Sequence, residues 1–532
     1  LLLTGNLVDG SASSAVVANV NTITTKDALT DGIRGLDMGT AITNISSSVT
    51  LKIPVGNFSI AAINDNAPDI IIPNVGTESS ADTYVFLADD GTTGVGVSKT
   101  LNFGTLSTLG TCKLDLFNYP SSQAVATAVP FSNYATGDTR PIKMGGFKLS
   151  DFGITAGNVD QIAFLKITPG GGNDPAFIAY NADSFTPRTK WLGTVSTAWN
   201  NPLNWSPEFV PTADTDAVIP STVNKPIISG AMTVKSLYIE TGAKLTVTGT
   251  LDVKGDVSNI GTLDAANGTV TFTGAKAQIV TTDISATTTF KNLTANNTAG
   301  VSLSGVSTVT GTLNLIAGQF TTGNFLILKS NATTTAVITP VGGTVTGKMT
   351  IERYIPAKRA FRFLSSPTDG GTIRSNWMEN GVDVAGLGTD ITGAGGASNG
   401  FDISGSNNPS LFTYLNNNPG PGANWNAVTS ANISQVAGVP YRMLVRGDRL
   451  VDQTNNNATA TATTLRTKGT IKYGDVSVAD LNPVADGFNL IGNPYQSPVN
   501  MYTLLNDAST TGIKKTFYTI WDPNVNTRGG YV

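Results

Sequence analysis

The chain carries the sequence Thr248-Gly249-Thr250-Leu251-Asp252-Val253 and repeats it 62 residues later as Thr310-Gly311-Thr312-Leu313-Asn314-Leu315. A shorter copy, Gly261-Thr262-Leu263-Asp264, lies between the two. Three turns of about 20 residues each account for the offset. A fixed period of this length is typical of chains that stack one short structural unit on the next.

The alternation of side chains inside this repeat indicates β-strands. Apolar residues take every second position, with Thr or Lys between them, at Leu245, Val247, Leu251 and Val253. Successive side chains of a strand point to opposite faces, so the apolar set is predicted to face a core. Residues 226–350 therefore predict a β-solenoid, whose turns are stable only when stacked. An antiparallel sandwich is the alternative interpretation.

The flanking regions predict further β-structure. Residues 1–185 contain short strands between turn signals, which predicts an antiparallel β-sandwich. Residues 186–225 form a Trp-rich linker or cap. Residues 351–532 carry further strand-like stretches and a Gly/Asn-rich loop from Gly386 to Pro409, and they predict a second β-sandwich that the end of the chain leaves incomplete. The predicted fold class is all-β, in three or four domains.

Composition excludes several classes of function. His is absent from all 532 residues, which excludes catalysis by an imidazole base and His-ligated metal sites. The 33 Lys and Arg residues form no basic stripe, so nucleic acid is not an expected partner. No apolar run reaches the roughly 18 residues of a membrane-spanning helix. The single cysteine, Cys112, is predicted to be a small buried residue at an inward strand position.

Three Trp residues stand close together ahead of the repeat, at Trp191, Trp199 and Trp205. Exposed aromatic rings stack on sugars, which makes these residues candidates for glycan binding. The alternative is a cap in which the indoles cover the open end of the solenoid core. We favour the cap, because the terminal units of a stacked fold must be covered.

Acidic turns in the first domain offer oxygen ligands to a cation. Asp65 and Asp69, and further along Asp89 and Asp90, are candidate calcium ligands. Neither stretch matches an EF-hand loop, and we favour solvated turns as the interpretation. No other cofactor is expected.

An integrin-type tripeptide, Arg446-Gly447-Asp448, follows a strand-like stretch that begins at Tyr441. We interpret it as a tight turn of a hairpin, in which Gly447 adopts a positive φ.

An enzymatic interpretation is also open. A solenoid that bears acidic and basic residues on one face resembles polysaccharide lyases, and Asp252, Lys254 and Asp264 are the residues that would form such a site. Paired carboxylates without His would also permit glycoside hydrolysis. We favour a solvated outer face, because Asp and Glu are sparse in the repeat and Thr and Ser are frequent.

Several separated motifs lie between residues 190 and 532. They are Trp191-x-Gly193, Trp199-Asn200, Asn204-Trp205, Pro211, Val218-Ile219-Pro220, Ile351-Glu352-Arg353-Tyr354-Ile355-Pro356, Phe361-Arg362-Phe363-Leu364-Ser365-Ser366-Pro367, Gly487-Phe488-Asn489-Leu490-Ile491-Gly492-Asn493-Pro494-Tyr495 and Trp521-Asp522-Pro523-Asn524. Together they resemble a module that is common in large secreted proteins of Bacteroidota. The resemblance implies export by a type IX secretion system and display or release at the outer cell surface, as in adhesins, gliding filaments and stalks. Such proteins usually finish with a C-terminal sorting domain, whereas this chain stops at Tyr531-Val532.

The function expected from these observations is that of a non-enzymatic structural or adhesion protein outside the cell. Its expected partners are further copies of itself, joined by head-to-tail or strand-exchange contacts, or other surface proteins. The alternative is a glycan-binding protein that uses the 1–185 domain or the Trp cluster. A β-solenoid enzyme that degrades polysaccharides is the further alternative.

Overall fold

The computed structural model describes residues 3–8, 40–43, 47–48, 50–56, 58–76, 80–118, 132–171, 179–181, 184–206, 208–417, 424–478, 480–482, 484, 487–511, 513–516 and 518–532. It is almost entirely β-structure, with 41% strand and 7% helix, which confirms the predicted fold class. The chain divides into two compact units, Leu1–Thr189 and Lys190–Val532. The predicted cap, repeat region and C-terminal sheets all lie in the second unit.

Unit 1 consists of two antiparallel sheets. Its strands are β1 (Leu3–Val8), β2 (Thr40–Thr43), β3 (Leu51–Gly56), β4 (Ile70–Asn74), β5 (Asp82–Leu87), β6 (Gly94–Leu101), β7 (Gly110–Asn118), β8 (Ser132–Phe147), β9 (Phe164–Thr168), β10 (Ala179–Tyr180) and β11 (Thr186–Trp191), the last of which continues into unit 2. Short 3-10 helices lie at Ala62–Asn64, Phe103–Thr105, Leu149–Phe152 and Val159–Gln161. One sheet has the order β10-β4-β8-β7-β1-β2, and the other joins the start of β11 to β3, β9, β5 and β6.

The core of unit 1 lies between these two sheets. Tyr84 of β5 packs on Phe147 of β8 with ring centroids 5.3 Å apart, and Ile70 and Ile72 of β4 are fully buried in the same cluster. Side chains from both sheets therefore share one core, which makes unit 1 a β-sandwich. Cys112 belongs to β7, and its side chain lies outside the described residues.

Unit 2 begins with the predicted repeat. Its strands up to the end of the repeat are β12 (Trp205–Ser206), β13 (Asp216–Ile219), β14 (Ile227–Ile228), β15 (Ala231–Val234), β16 (Leu237–Ile239), β17 (Lys244–Val247), β18 (Thr250–Val253), β19 (Val257–Asn259), β20 (Thr262–Phe272), β21 (Gln278–Thr282), β22 (Thr287–Asn296), β23 (Val301–Ser304), β24 (Ser307–Ala317), β25 (Gln319–Thr321), β26 (Leu326–Leu328), β27 (Val337–Ile338), β28 (Thr344–Thr346) and β29 (Met349–Ile355). A 3-10 helix, Pro202–Asn204, precedes β12.

These strands form a β-solenoid of about seven turns, built from three columns of parallel strands. One column contains β13, β16, β19, β21, β23, β25 and β28. In another column Leu251 lies opposite Val270, Val270 opposite Leu293, and Leu293 opposite Leu313. The 62-residue offset therefore spans three turns, as predicted. The shorter copy at 261–264 belongs to a different column, because Leu263 lies opposite Leu245.

The alternation of the sequence separates the inside of the solenoid from its outside. Leu245, Val247, Leu251 and Val253 have no exposed surface, which confirms the predicted inward face. Outward side chains bond to the turn above or below: Thr308 Oγ1 donates to Thr289 Oγ1 at 3.1 Å, for example. Each turn thus supplies its neighbour with both apolar contacts and polar partners.

Each end of the solenoid is covered along part of its edge. At the first turn, the end of β11 pairs antiparallel with β12, and three indoles fill the space below the core. At the last turn, β29 pairs antiparallel with β35 (Thr463–Ile471) along seven residues. Because an uncovered parallel edge invites further strands, these additions protect the stack at β13 and β29, while β15 and β28 each pair on one side only.

The rest of unit 2 packs two sheets against each other. Its remaining strands are β30 (Ala360–Ser365), β31 (Thr368–Asp369), β32 (Leu411–Tyr414), β33 (Trp425–Ala427), β34 (Pro440–Val445), β35, β36 (Trp521–Asp522) and β37 (Gly530–Tyr531), with helix α1 (Met501–Asn506) and 3-10 helices Glu379–Gly381 and Gly396–Asn399. The sheet β30-β34-β32-β33 shares a core with β29 and β35. The 386–409 segment, predicted as a surface loop, contributes Ile391 and Phe401 to this core.

A glycine between two strands of the solenoid gives a test of the fold. Gly305, between β23 and β24, has a φ of +135°, and a Cβ there would collide with the Thr282 carbonyl. Gly305→Ala is therefore expected to lower the free energy of unfolding by at least about 1 kcal/mol. Gly230→Ala is the control, because the nearest atom to its Cβ would be 4.0 Å away. Equal urea midpoints for the two variants would contradict this assignment.

Candidate functional site

The three predicted Trp residues lie inside the core at the first turn. Trp191, Trp199 and Trp205 are each at most 1% exposed. The ring of Trp205 lies edge-on to both others, with centroids 5.1 Å from Trp191 and 4.6 Å from Trp199. Its indole N–H donates to the Trp199 carbonyl at 2.8 Å. No indole face is free for a sugar to stack on, and the arrangement is the cap that the sequence favoured.

A buried Asn holds the cap in place. Asn204 has no exposed surface, and its Oδ1 accepts from the amides of Val195 and Ser196 at 3.0 and 2.9 Å. Its Nδ2 donates to Ser196 Oγ and to the Ala198 carbonyl, both at 3.0 Å. A fully bonded side-chain amide fixes the loop that carries Trp199, which explains the Asn-Trp pairing in the sequence.

Three of the four candidate calcium ligands accept hydrogen bonds from the protein itself. Asp69 is fully buried and accepts from the Leu149 amide at 2.6 Å and from the Ser184 hydroxyl. Exposed Asp90 accepts from Thr93, and these bonds hold the pKa of its carboxyl well below the usual range. Asp65 accepts from the Ala67 amide at 2.8 Å, and Asp89 is exposed. Among the described residues, no three acidic or Cys side chains are grouped to hold a metal.

The tripeptide at 446–448 forms part of the folded core. Gly447 has a φ of +141°, which confirms the predicted conformation. Asp448 is buried, and its carboxylate accepts from the amides of Gly386 and Leu450 at 2.7 and 3.2 Å. An integrin would need this carboxylate to be accessible, so the motif is structural here.

The residues of the enzymatic alternative neutralise each other on the outer face. Lys254 Nζ lies 2.8 Å from Asp252 Oδ2, and Thr273 bridges the two through its hydroxyl. Asp264 pairs with Lys244 at 2.6 Å instead, and that bond lowers its pKa. The three residues therefore belong to two separate surface pairs and form no cleft.

Sequence reasoning missed a buried ionic cluster beside the tripeptide. Arg449 is 3% exposed and binds Asp402 through two parallel hydrogen bonds of 2.9 and 3.0 Å. Asp390 lies 3.3 Å from the same guanidinium and accepts from Gln453 at 2.7 Å. Burial, together with the charge of Asp402, raises the pKa of Asp390 to about 7 although Arg449 opposes the shift. The residues are far apart in sequence, so no local pattern signals the cluster.

Among the cavities in the described part of unit 2, two are lined mainly by residues that follow the solenoid. One, of about 280 Å³, is lined by Ile351, Arg353, Trp377, Leu465 and Gly492 among others, so the Ile351-to-Pro356 and Gly487-to-Tyr495 motifs meet there. The other, of about 290 Å³, is polar. Its lining contains Arg359, Arg446, Asp452, Asn456 and three hydroxyl side chains, those of Ser404, Ser406 and Thr454.

None of the helices in the part of the chain that is described has the length and apolarity to cross a bilayer. No curated protein and no solved structure matches the chain. A family model described as a domain of unknown function (DUF8693) matches residues 190–270, which comprise the Trp cap and the first turns of the solenoid.

Proposed function

We propose that this protein is a non-enzymatic structural or adhesion protein of the outer cell surface, in which the solenoid is a rigid spacer. The proposal is carried by one observation: other parts of the chain pack on each end of the solenoid, and its outer side chains pair from turn to turn. A stack of this kind resists bending and offers little chemistry to the solvent. Such properties suit a part that holds other surfaces at a distance.

The geometry of the two cavities supports a role without catalysis. Hydrolysis of a glycosidic bond needs two carboxyl groups that flank the substrate. No carboxylate lines the 280 Å³ cavity. In the lining of the 290 Å³ cavity, Asp452 is the one residue with a carboxylate. The carboxyls of Asp390 and Asp402 lie close together, but Asp390 is buried and Asp402 is half-buried, and both bind Arg449. We expect no release of reducing or unsaturated sugar from a panel of acidic and neutral polysaccharides, and such release would overturn this part of the proposal.

Export and display follow from the resemblance to secreted Bacteroidota modules. The proposed route is a type IX secretion system, and the proposed partners are copies of the chain or other surface proteins. Antibody labelling of intact cells of the source organism tests the location. Labelling only after the cells are lysed would refute it.

Self-association is the sharper form of the proposal, and it needs a strand with an unpaired edge, of which β28 at the last turn of the solenoid is one. The solenoid edge at β29 is occupied by β35, and at β27 the Ile338 amide donates to the Gln496 carbonyl at 2.8 Å. Strand β28 pairs with β25 on one side alone. The Val345 amide points away from β25, and its contact there is the Tyr473 hydroxyl at 3.5 Å. We propose that strand exchange between copies uses β28.

Val345→Pro removes the amide that an added strand would use. We expect concentrated wild-type chain to form oligomers or fibres, visible by light scattering and electron microscopy, and Val345→Pro to remain monomeric. Val345→Thr keeps the donor and is the control, so it should behave as the wild type. A wild-type chain that stays monomeric at every concentration would eliminate self-assembly and leave the spacer role standing.

A further inference from the structure

The polar cavity of about 290 Å³ brings together two cations from distant parts of the sequence. Arg359 precedes β30 and Arg446 follows β34, and the antiparallel register puts Ala360 opposite Val445. The two arginines therefore leave adjacent strand ends side by side and line the same cavity. Like charges in this position repel each other unless an anion lies between them.

Among the described residues, no carboxylate is hydrogen-bonded or ion-paired to either arginine. Within the described residues, Arg446 Nη1 and Arg359 Nε are buried and have no hydrogen-bond partner. Burial, with the charges of Arg359 and Arg528 nearby, lowers the pKa of the Arg446 guanidinium, although Asp390 opposes the shift. Asp452 also lines the cavity, and its Oδ1 accepts from the amide and the hydroxyl of Thr454 at 2.8 and 2.6 Å rather than from either arginine. Buried donors without partners are costly, and a bound oxyanion would satisfy them.

The remaining lining indicates what the oxyanion is attached to. Ser404, Ser406 and Thr454 bring hydroxyls, and Asn455 and Asn456 bring side-chain amides. Hydroxyl and amide groups are the partners that sugar hydroxyls use. A cavity of about 290 Å³ is close to the lower end of the range for small-molecule sites, roughly 300 Å³, and holds more than a bare anion.

We propose that this cavity binds an acidic sugar residue, whose sulfate or carboxylate group lies between Arg359 and Arg446. Arg359 is partly positioned for this task, because its Nη2 bonds to Asn456 Oδ1 at 3.4 Å and its Nη1 bonds to the Asn456 carbonyl. The inference goes beyond the spacer role and stands apart from it, because purified chain binds or fails to bind sugar whether or not it assembles.

The test is calorimetric titration of the full chain, at constant ionic strength, with four probes. The probes are a sulfated disaccharide, a uronic-acid disaccharide, their uncharged parent disaccharide and sodium sulfate. We expect one or both acidic sugars to bind, with the parent and sodium sulfate at least about tenfold weaker. Arg446→Gln and Arg359→Gln are each expected to weaken the acidic sugar by at least about tenfold. Lys358→Gln removes a neighbouring charge that does not line the cavity, and it should change nothing.

A further variant distinguishes the contribution of the sugar hydroxyls to binding from that of the charged group. The double variant Ser404→Ala, Ser406→Ala is expected to weaken the acidic sugar and to leave any sulfate binding unchanged. Both Arg variants should stay folded by circular dichroism, because each removes a cation from a like-charged pair. Failure of every probe to bind, equal binding in the Arg variants, or sodium sulfate as tight as the sugar would each overturn the proposal.

Discussion

Trp205→Ala is expected to lower the free energy of unfolding of unit 2 by about 3–5 kcal/mol. The side chain is 1% exposed and lies between two other indoles at the first turn of the solenoid. Truncation would leave a cavity against Trp191 and Trp199 and would break the bond from the Trp205 indole to the Trp199 carbonyl. This loss of stability is expected to be large because the solenoid has no further turn beyond Trp205 that could move in and fill the cavity.

Urea unfolding followed by far-ultraviolet circular dichroism measures the effect. Leu203→Ala is the control, because Leu203 lies in the 3-10 helix that directly precedes Trp205 and is 49% exposed. Its expected change is within about 0.5 kcal/mol. Amide exchange adds a spatial readout: β13 and β14, next to the cap, should lose protection before β26 and β29. Uniform loss along the stack, or equal midpoints for the two variants, would show that the indoles do not act as a cap.

Asp390→Asn is expected to make unit 2 more stable at pH 8, by up to about 3 kcal/mol. The pKa of Asp390 is raised from 3.8 to about 7, mainly by burial. Below about pH 4 the carboxyl is protonated in both the folded and the unfolded chain. As the pH rises from 4 toward 7, the unfolded chain gives up this proton first, so unfolding becomes more favourable. Wild-type stability should therefore fall across this window, and the variant should not share the fall.

The absence of histidine makes this measurement unusually clean. Imidazole is the side chain whose ordinary pKa lies between 5 and 8, and the sequence contains none. Carboxyls whose pKa is lowered, such as that of Asp90, titrate at more acidic pH. The introduced amide also has a partner, because Gln453 Oε1 is unpaired in the described part of the chain and can accept from it.

Stability is measured by urea unfolding at a series of pH values. Exposed Asp214→Asn is the control and should keep the wild-type slope. A wild-type curve that is flat or rises between pH 5 and 7 would contradict the role given to Asp390, as would a variant that is less stable than the wild type at pH 8.

The sequence predicted those parts of the fold in which residues close in the chain determine the structure. The solenoid follows from alternation and from a repeated Thr-Gly-Thr-Leu stretch, and both are visible within 70 residues. The stretches Thr83–Leu87 and Leu411–Tyr414 are rich in β-branched and aromatic residues, and they lie in β5 and β32. In the 386–409 segment, Gly and Asn dominate the pattern, and the two apolar side chains that enter the core are too few to show a period.

The candidate sites could not be predicted, because they depend on contacts between distant residues. Arg359 and Arg446 meet only through the register of β30 and β34. Arg449 contacts Asp402 because the 386–409 segment folds back onto it, and the sequence pattern does not predict the turns of that segment. The Trp cluster could be predicted, since its three residues are neighbours both in sequence and in space. The burial of the three side chains then distinguishes the cap from a sugar-binding site.

The three-column stack also has a consequence for how such proteins change size. Equivalent positions recur after steps that differ by several residues, as between Leu251 and Val270 and between Val270 and Leu293, because corners absorb the difference. Duplication or loss of a single turn would therefore lengthen or shorten the solenoid by about 4.8 Å and leave the structures at its two ends unchanged. The length of the solenoid can therefore change in evolution by one turn at a time.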